Sequence, residues 1–248
     1  MGAARNYYSF NVNSQSMDQS KIWYLENVDL TTLLCPKKLG DALDTHKHSG
    51  YKKGDYIYMP EQDSDKVFFL SAGRVKIRTY SNNGKEITKA ILEAGEVFGE
   101  LSLVGEENRR DFAFAMEDVE VCALTVEEMK GLIKDHSSLS LLMMRIMGNR
   151  VLEMEERLES LVFKDSRTRI VEFLVDLTNK KGERVGYEHV VRRFITHLEI
   201  ANLTATSRQT VTTVLNELRT KNLIAFNRKR LLVRDLEKLK LETTAISN

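Results

Sequence analysis

The sequence predicts an α+β protein in which an N-terminal antiparallel β-roll, a long helix and a smaller helical domain follow one another along the chain. Three observations predict this order: short β-type runs between residues 51 and 124, a coiled-coil-like apolar pattern between residues 138 and 163, and a change of net charge after residue 164. With 248 residues the chain is long enough for two domains, each with its own apolar core.

Composition argues against several protein classes. Apolar residues make up 42% and charged residues 29% of the chain, a balance typical of folded rather than disordered proteins. No stretch approaches the roughly 20 apolar residues that span a bilayer, and the N-terminus lacks the apolar core of a signal peptide, so we expect a cytoplasmic protein with no membrane partner. The two cysteines, Cys35 and Cys122, are too few for a disulfide framework or a four-thiolate site, and we expect no metal.

The first half of the chain is predicted to form the β-roll. Residues 1–21 are rich in Asn, Ser and Gln and are expected to be a flexible lead, followed by short helices around residues 23–43. Within the roll domain, residues 22–137, the runs YIYM, KVFFL and RVKIRTY are separated by turn signals, and seven of the 13 glycines fall between Gly50 and Gly105. Closely spaced short strands of this kind favour an antiparallel barrel or roll.

A long helix is predicted next, with residues 138–164 serving as dimerisation helix and hinge. Its apolar residues recur at spacings of 3, 4, 3, 4 and 3, which is typical of a coiled-coil seam. They are Met144, Met147, Val151, Met154, Leu158 and Leu161. The charged residues between them, including Arg150 and Arg157, are assigned to a solvated outer face. The helix could pack on the chain's own roll, but a seam this regular over nearly 40 Å favours pairing with a second copy.

Net charge divides the chain near residues 163–166. Residues 165–248 carry 16 Lys and Arg against 10 Asp and Glu, a net charge of +6, whereas residues 1–164 carry 21 against 26, a net of −5. The overall +1 is therefore the cancellation of an acidic and a basic half. We expect the basic domain, residues 165–248, to begin at a helix capped by Asp165 and to meet a polyanion.

The basic domain contains a helix-turn-helix pattern. Thr196 and Glu199 form a capping-box sequence ahead of a short helix, a turn follows at residues 205–206, and Ser207 is the predicted N-cap of a longer helix. The two helices alone are equally consistent with an ordinary helix pair. The polar start of the second helix and the basic hairpin tip that follows it favour a reader of DNA grooves.

Candidate DNA contacts follow from side-chain chemistry. Polar side chains at the start of the second helix suit base edges in a major groove; the candidates are Arg208, Gln209, Thr210, Thr212 and Thr213. Helix starts and the predicted hairpin tip suit phosphates, and the candidates there are Thr196, His197, Ser207, Arg228, Lys229 and Arg230. Double-stranded DNA is the expected partner.

Three motifs carry a resemblance to a known family. They are GEVFGEL at residues 95–101, LVFKD at residues 161–165 and TSRQTV at residues 206–211. Together with the order and size of the predicted elements, they make residues 22–236 resemble the cyclic AMP receptor protein/FNR family of bacterial transcription regulators. The resemblance implies that the roll is a cyclic nucleotide-binding-like jelly roll and the basic domain a winged helix-turn-helix.

The resemblance also implies an effector pocket, assigned to Gly99, Glu100, Leu101, Arg110, Asp111, Met154 and Glu155. In cyclic AMP-binding relatives an Arg-Ser pair holds the phosphate and a Thr-Ser pair meets the adenine. Here Asp111 follows Arg110, and Met154 and Glu155 replace the second pair. A carboxylate repels a phosphate, so cyclic AMP in its usual mode is not the expected effector. Two alternatives stay open: another small molecule, or Arg110 paired with Asp111 or another local acid and no ligand.

Other positions depart from the pattern of the relatives. Haem through His46 or His48 is a further alternative, whereas the N-terminal cysteine cluster of an iron–sulfur sensor is absent. Gln209 replaces the usual glutamate and Thr213 a common second base-reading arginine, so the relatives' half-site sequence is not carried over. Ala205 occupies a turn position usually held by glycine, which implies strain or a shifted turn, on the order of 1 kcal/mol.

The expected function is that of a homodimeric, sequence-specific DNA-binding regulator of transcription. Two-fold symmetry predicts a pseudo-palindromic operator with half-site centres roughly 34 Å apart, and RNA polymerase is an expected partner. The alternative is a cyclic nucleotide-binding module that acts on a protein partner, which would not need a groove reader. The sequence has no Walker A loop, GxGxxG, HExxH or nucleophile elbow, so an enzyme is not expected.

Overall fold

The computed structural model describes residues 48–243 and, upstream, the backbone of two short paired strands, β1 at Tyr24–Leu25 and β2 at Val28–Asp29. The prediction of short helices around residues 23–43 is wrong at β1 and β2. The two strands are separated by only two residues, which is the geometry of a tight antiparallel hairpin rather than of a helix. The expected flexible lead at residues 1–21, the His46 position and the side chain of His48 lie outside the described residues.

Two four-stranded antiparallel sheets form the roll, in the orders β3-β10-β5-β8 and β4-β9-β6-β7. The strands are β3 at His48–Tyr51, β4 at Tyr56–Tyr58, β5 at Lys66–Ala72, β6 at Arg74–Tyr80, β7 at Glu86–Glu93, β8 at Val97–Phe98, β9 at Phe112–Ala115 and β10 at Val119–Thr125. Every described pairing within these two sheets is antiparallel. The roll predicted from the turn pattern is confirmed.

Strand β5 shows why the apolar run KVFFL forms the centre of the roll. Phe68 and Leu70 pack into the core between the two sheets, whereas Val67 and Phe69 pack under the helices that follow. Successive side chains of a strand point to opposite faces, so a strand that is covered on both faces needs a continuous apolar run.

Two helices cover one sheet of the roll: α1 at Val126–Asp135 and α2 at Ser137–Phe163. The start of α2 is anchored, because Leu139, Leu142 and Met143 are buried against β5, β10 and α1. The rest of the helix extends beyond this core over a total length of about 40 Å.

Two different stripes run along α2. The predicted seam is solvent-exposed on the single chain: Met144 is 69%, Met154 67% and Leu158 63% exposed. Arg150 and Arg157 do not lie on a solvated outer face, and that assignment is wrong. They continue the roll-facing side of the helix at helical spacing from Leu139 and Met143, and both donate hydrogen bonds into the roll.

The basic domain packs its helices on a four-stranded sheet of order β11-β12-β14-β13. Its elements are α3 at Ser166–Lys181, β11 at Gly182–Val185, β12 at Glu188–Arg192, α4 at His197–Leu203, α5 at Arg208–Thr220, β13 at Ile224–Phe226, β14 at Arg230–Val233 and α6 at Leu236–Leu241. The β11–β12 hairpin was not predicted; it anchors the hairpin formed by β13 and β14. Among the described helices, none combines the length and apolarity that crossing a bilayer requires.

A two-residue link joins α2 to the basic domain. Lys164 is extended, with φ −119 and ψ 143, and Asp165 caps α3 by accepting a hydrogen bond from the Thr168 N–H at 2.7 Å. This cap is the one predicted from the sequence. The link is short, yet its extended backbone leaves rotation about Lys164 as the simplest way to reorient the domain.

Leu218 offers a test of the basic domain's core. The side chain of Leu218 is fully buried. We expect Leu218→Ala to lower the free energy of unfolding by about 2–5 kcal/mol, since it removes buried methylenes and leaves a cavity. Leu198→Ala, at a residue that is 54% exposed on the neighbouring helix α4, is the control and should cost less than about 1 kcal/mol. Chemical denaturation measures both, and equal losses would contradict this packing.

Candidate nucleic-acid interface and sensor pocket

Helix α4 begins at the predicted capping box. The Thr196 Oγ1 accepts from the Glu199 N–H at 3.2 Å, and the Glu199 carboxylate accepts from the Thr196 N–H at 2.9 Å. Ile200 and Ala201 are buried on the face toward α5. The small Ala201 side chain allows the two helices to approach closely.

The turn between α4 and α5 carries the backbone strain predicted at Ala205. This residue has φ 50, in the left-handed region that favours glycine. Neighbouring hydrogen bonds hold it there: the Thr206 N–H donates to the Ala201 carbonyl at 2.9 Å, and the Arg169 guanidinium donates to the carbonyls of Thr204 at 2.9 Å and Ala205 at 3.2 Å. The turn is therefore fixed from the first helix of the domain as well as from within the motif.

Helix α5 presents a polar face to solvent. Ser207 is its N-cap, with Oγ accepting from the Thr210 N–H at 3.0 Å, as predicted. Arg208, Gln209 and Thr213 are exposed, while the opposite face of the helix is buried in the domain core. These three side chains are available to base edges if the helix enters a major groove.

The other two candidate base readers are engaged locally. The Thr210 hydroxyl lies 2.8 Å from the Ser207 hydroxyl. The Thr212 hydroxyl donates to the Arg208 carbonyl at 2.9 Å and also lies 2.9 Å from Nδ1 of His197. We therefore assign Thr212 to positioning α4 against α5 rather than to reading bases.

Asn216 was missed by sequence reasoning. It follows Gln209 and Thr213 at i+7 and i+3, which places the three side chains on one side of α5. Its amide could contact adenine edges in the manner of Gln209. The 3.6-residue period of the buried positions, applied to the opposite face, would have identified it.

His197 joins the helix pair to the β-hairpin. Its ring lies 5.7 Å from the ring of Phe226, edge to face, and its Nδ1 meets Thr212. Burial and the nearby positive charge of Arg208 lower the pKa of His197. The neutral imidazole is therefore favoured at pH 7 in the protein without DNA.

The β13–β14 hairpin forms the predicted basic wing. The Asn227 Oδ1 accepts from the N–H groups of Lys229 at 2.8 Å and Arg230 at 2.9 Å, which shapes the tip. Arg228, Lys229 and Arg230 are all exposed. The Lys229 carbonyl accepts from the Phe194 N–H at 3.1 Å, so the wing is tied to the segment that leads into α4.

In the roll, Gly99 forms the turn at the start of a 3₁₀ helix, Glu100–Val104. Its φ of 73 lies in the left-handed region, and a Cβ there would come within 3.0 Å of the Arg109 Nη1 and 3.1 Å of the Lys66 carbonyl. Only glycine fits both the conformation and the close approach of the guanidinium.

Arg109, not Arg110, lies against this turn. Arg109 is 2% exposed and donates from Nη1 to the Gly99 carbonyl at 3.1 Å and from Nη2 to the Lys66 carbonyl, while Arg110 is exposed. The guanidinium also lies 4.6 Å from the ring of Tyr58. Arg109 rather than the predicted Arg110 therefore contacts the turn: its backbone, in the loop before β9, is paired with Glu61 and Gln62, while Arg110 is exposed.

Glu100 is already paired. It is 4% exposed and forms an ion pair with Arg150 of α2, whose second guanidinium nitrogen donates to the Val97 carbonyl. A helix side chain thus closes the space beside the Gly99 turn. Sequence reasoning missed Arg150 because charged residues between seam positions usually lie on a solvated face.

The remaining predicted pocket residues lie apart from this site. Asp111 forms an ion pair with Lys89 at 2.8 Å, not with Arg110. Leu101 is 46% exposed, and Met154 and Glu155 on α2 are also exposed on the single chain. The structure therefore gathers Gly99, Glu100, Arg109 and Arg150 rather than the full predicted set.

Comparison with known proteins agrees with this arrangement. A cyclic nucleotide-binding domain matches residues 49–136, and a Crp-like helix-turn-helix domain matches residues 168–242. The global nitrogen regulator of Synechocystis sp. is 32% identical over 79% of this chain and 88% of its own length. The chain belongs to the cyclic AMP receptor protein/FNR family. It is accordingly a DNA-binding transcription regulator with a cyclic nucleotide-binding-like sensor domain.

Other members of the family share the fold and much of the chain. The cyclic AMP receptor protein of Thermus thermophilus is 31% identical over 75% of this chain and 82% of its own length. A variant of CooA from Carboxydothermus hydrogenoformans superposes with a TM-score of 0.73 and 26% identity, covering 92% of this chain and 96% of that one.

Ala205→Gly tests the strained turn. Because glycine adopts a positive φ without a Cβ clash, we expect a gain of about 0.5–1 kcal/mol in the free energy of unfolding, after the entropic cost of glycine in the unfolded chain. Thermal or chemical denaturation of the two proteins measures the difference. Ala225→Gly, in strand β13, should be destabilising instead; a loss at both positions would contradict strain at Ala205.

Proposed function

We propose that this regulator acts in the cytoplasm as a homodimer that binds a pseudo-palindromic operator through Arg208, Gln209, Thr213 and Asn216. The main support is the exposed polar face of α5 beside an exposed basic wing. The wing cations and the N-terminus of α4 contact phosphates and set the register, while the α5 side chains read bases. RNA polymerase is the proposed protein partner at the promoter.

The proposed dimer forms along α2. Met144, Val151, Met154 and Leu158 are each more than half exposed at coiled-coil spacing. Pairing two such helices would bury this seam and place two copies of α5 on one side of the dimer. Their separation would match successive major grooves, roughly 34 Å apart.

For the sensor we propose a small acidic effector at the Gly99 turn. Two guanidinium groups, of Arg109 and Arg150, converge there on backbone carbonyls and the Glu100 carboxylate. An acidic ligand could compete with Glu100 for Arg150 and so act on α2 directly. The relatives include a cyclic AMP receptor protein and a global nitrogen regulator, so family membership leaves the effector undetermined.

Cyclic AMP is not the proposed effector, but the argument from the sequence, repulsion between Asp111 and a phosphate, no longer applies. Asp111 is engaged with Lys89 and stands two residues beyond Arg109, so repulsion from its carboxylate no longer argues against a phosphate. What remains is that Met154 and Glu155 replace the adenine-contacting pair of the relatives.

Arg208→Ala tests the base-reading assignment. We expect a loss of about 1–3 kcal/mol on the operator and relaxed specificity at one base position, because a bidentate contact to guanine is removed. Lys229→Ala is the matched control and should weaken operator and random DNA nearly equally, since it removes a phosphate contact. Fluorescence anisotropy on operator and random duplexes measures both, and an equal loss on the two DNAs for Arg208→Ala would remove it from the base-reading set.

Calorimetry tests the sensor proposal. We expect no micromolar binding of cyclic AMP or cyclic GMP to the wild type, and binding of at least one compound from a panel of small carboxylates and phosphates. Arg109→Met should abolish that binding, because it removes a buried donor set at Gly99. Micromolar binding of either cyclic nucleotide would contradict the proposal, as would ligand binding unchanged by Arg109→Met.

A further inference from the structure

We propose that Lys76, Glu199 and Arg157 form a latch that fixes the DNA-reading domain against its own roll and thereby sets the half-site spacing that the dimer accepts. These are positioning residues: none of them lies on the DNA-reading face. The inference rests on the proposed function, because spacing has meaning only for a dimer that binds two half-sites.

Lys76 is the roll's contribution to the latch. It lies on the outer face of β6, between core residues Val75 and Ile77, and is only 9% exposed. Its Nζ is 3.4 Å from Glu86 on the neighbouring strand β7 and 3.5 Å from Glu199 on α4. A lysine this buried is normally paired, and here one of its two partners belongs to the other domain.

Glu199 both caps α4 and pairs with Lys76. One carboxylate oxygen accepts from the Thr196 N–H at 2.9 Å and so caps α4, while the other faces Lys76. The side chain is 13% exposed. The residue that forms the start of the helix-turn-helix is thus also the charge partner of the roll, which couples the orientation of α4 to strand β6.

Arg157 joins three elements. From α2 it donates to the carbonyls of Thr88 at 3.1 Å and Lys89 at 3.2 Å on β7, and to the carbonyl of Asn202 on α4 at 3.3 Å. Burial lowers the pKa of Arg157, as expected for a guanidinium removed from water. A planar group with several donors can bind three backbone carbonyls on two elements in this way, which a lysine ammonium does not reproduce.

Further polar contacts surround the latch. Lys181 of the basic domain pairs with Glu93 at 2.7 Å, and Arg193 pairs with Glu117 at 3.3 Å. Asn202 donates to Glu86 at 3.4 Å. The acidic roll and the basic domain therefore meet through complementary charges rather than through a shared apolar core.

The latch positions the reader and does not cover it. Arg208, Gln209 and Thr213 stay exposed while α4 is docked on the roll. The covalent link to α2 is only Lys164 and Asp165, so the latch supplies the constraint that prevents rotation of the domain about that link. Each reader of a dimer is then held in one orientation, and two fixed readers demand one spacing.

The test uses operator duplexes whose half-site spacing differs by one base pair in either direction. We expect the full-length wild type to lose about tenfold or more in affinity off its preferred spacing. Lys76→Met should bind the operator of preferred spacing more weakly than the wild type does. Its affinities for the three spacings should lie within about threefold of one another, and its affinity for a single half-site should be unchanged. Glu86 keeps its partner Arg78 in this variant, at 3.0 Å. Lys52→Met, which breaks an exposed ion pair within the roll, is the control and should behave as wild type.

Glu199→Gln separates charge from capping. Glutamine can still cap α4, but it carries no charge for Lys76, so this variant should show the same loss of spacing preference. Glu128→Gln makes the same change in the capping box of α1 and is the control. The Lys76→Met/Glu199→Gln double variant should lose no more spacing preference than either single variant, because both substitutions remove the same Lys76–Glu199 interaction.

Two other outcomes would contradict the latch. An unchanged spacing profile for Lys76→Met and Glu199→Gln would show that these contacts do not hold the reader, and tighter operator binding would show that docking opposes DNA binding. A wild type that selects no paired half-sites would instead contradict the proposed dimeric function. Circular dichroism confirms folding, and Arg157→Lys provides a second route to the same undocked state.

Discussion

The 27-residue helix α2 is the constraint on which the other parts of the molecule depend. Its first turns are locked into the roll by Leu139, Leu142 and Met143, so every later residue has a fixed direction relative to the sheets. Arg150 and Arg157 are seven residues apart, two turns along the same side, and they reach the sensor turn and the reader domain respectively. One rigid element thus connects pocket, partner seam and DNA-reading domain.

Under the proposed function, this arrangement provides a physical route from an effector to DNA. A change in the Glu100–Arg150 pair acts on α2 at one point, and Arg157 transmits the position of α2 to β7 and α4 at another. The contacts between roll and reader are polar, and the pairs Lys181–Glu93 and Arg193–Glu117 around the latch are partly exposed to water. An apolar interface of the same size would hold one arrangement more firmly and would be less suited to switching.

Local signals were predictable from the sequence wherever local chemistry decides the structure. The capping box at Thr196, the N-caps Asp165 and Ser207, the basic wing and the strained Ala205 all follow from interactions within a few residues. The identity of the pocket arginine did not, because two adjacent arginines satisfy the same motif and only the pairing of the Arg109 backbone with Glu61 and Gln62, far away in the chain, distinguishes them. Asn216 was within reach of helical periodicity but lacked the charge that draws attention to a DNA contact.

The sequence alone determined the order of domains, the β-roll, the helix-turn-helix and the split of charge between an acidic and a basic half, because periodicity, turn chemistry and composition act over short distances. Only the tertiary structure decided that Arg150 and Arg157 face the roll, that Glu199 pairs with Lys76, and that Asp111 pairs with Lys89. Such pairs join residues far apart in the chain. Their partners are chosen by the packing of sheets and helices, which no local pattern specifies.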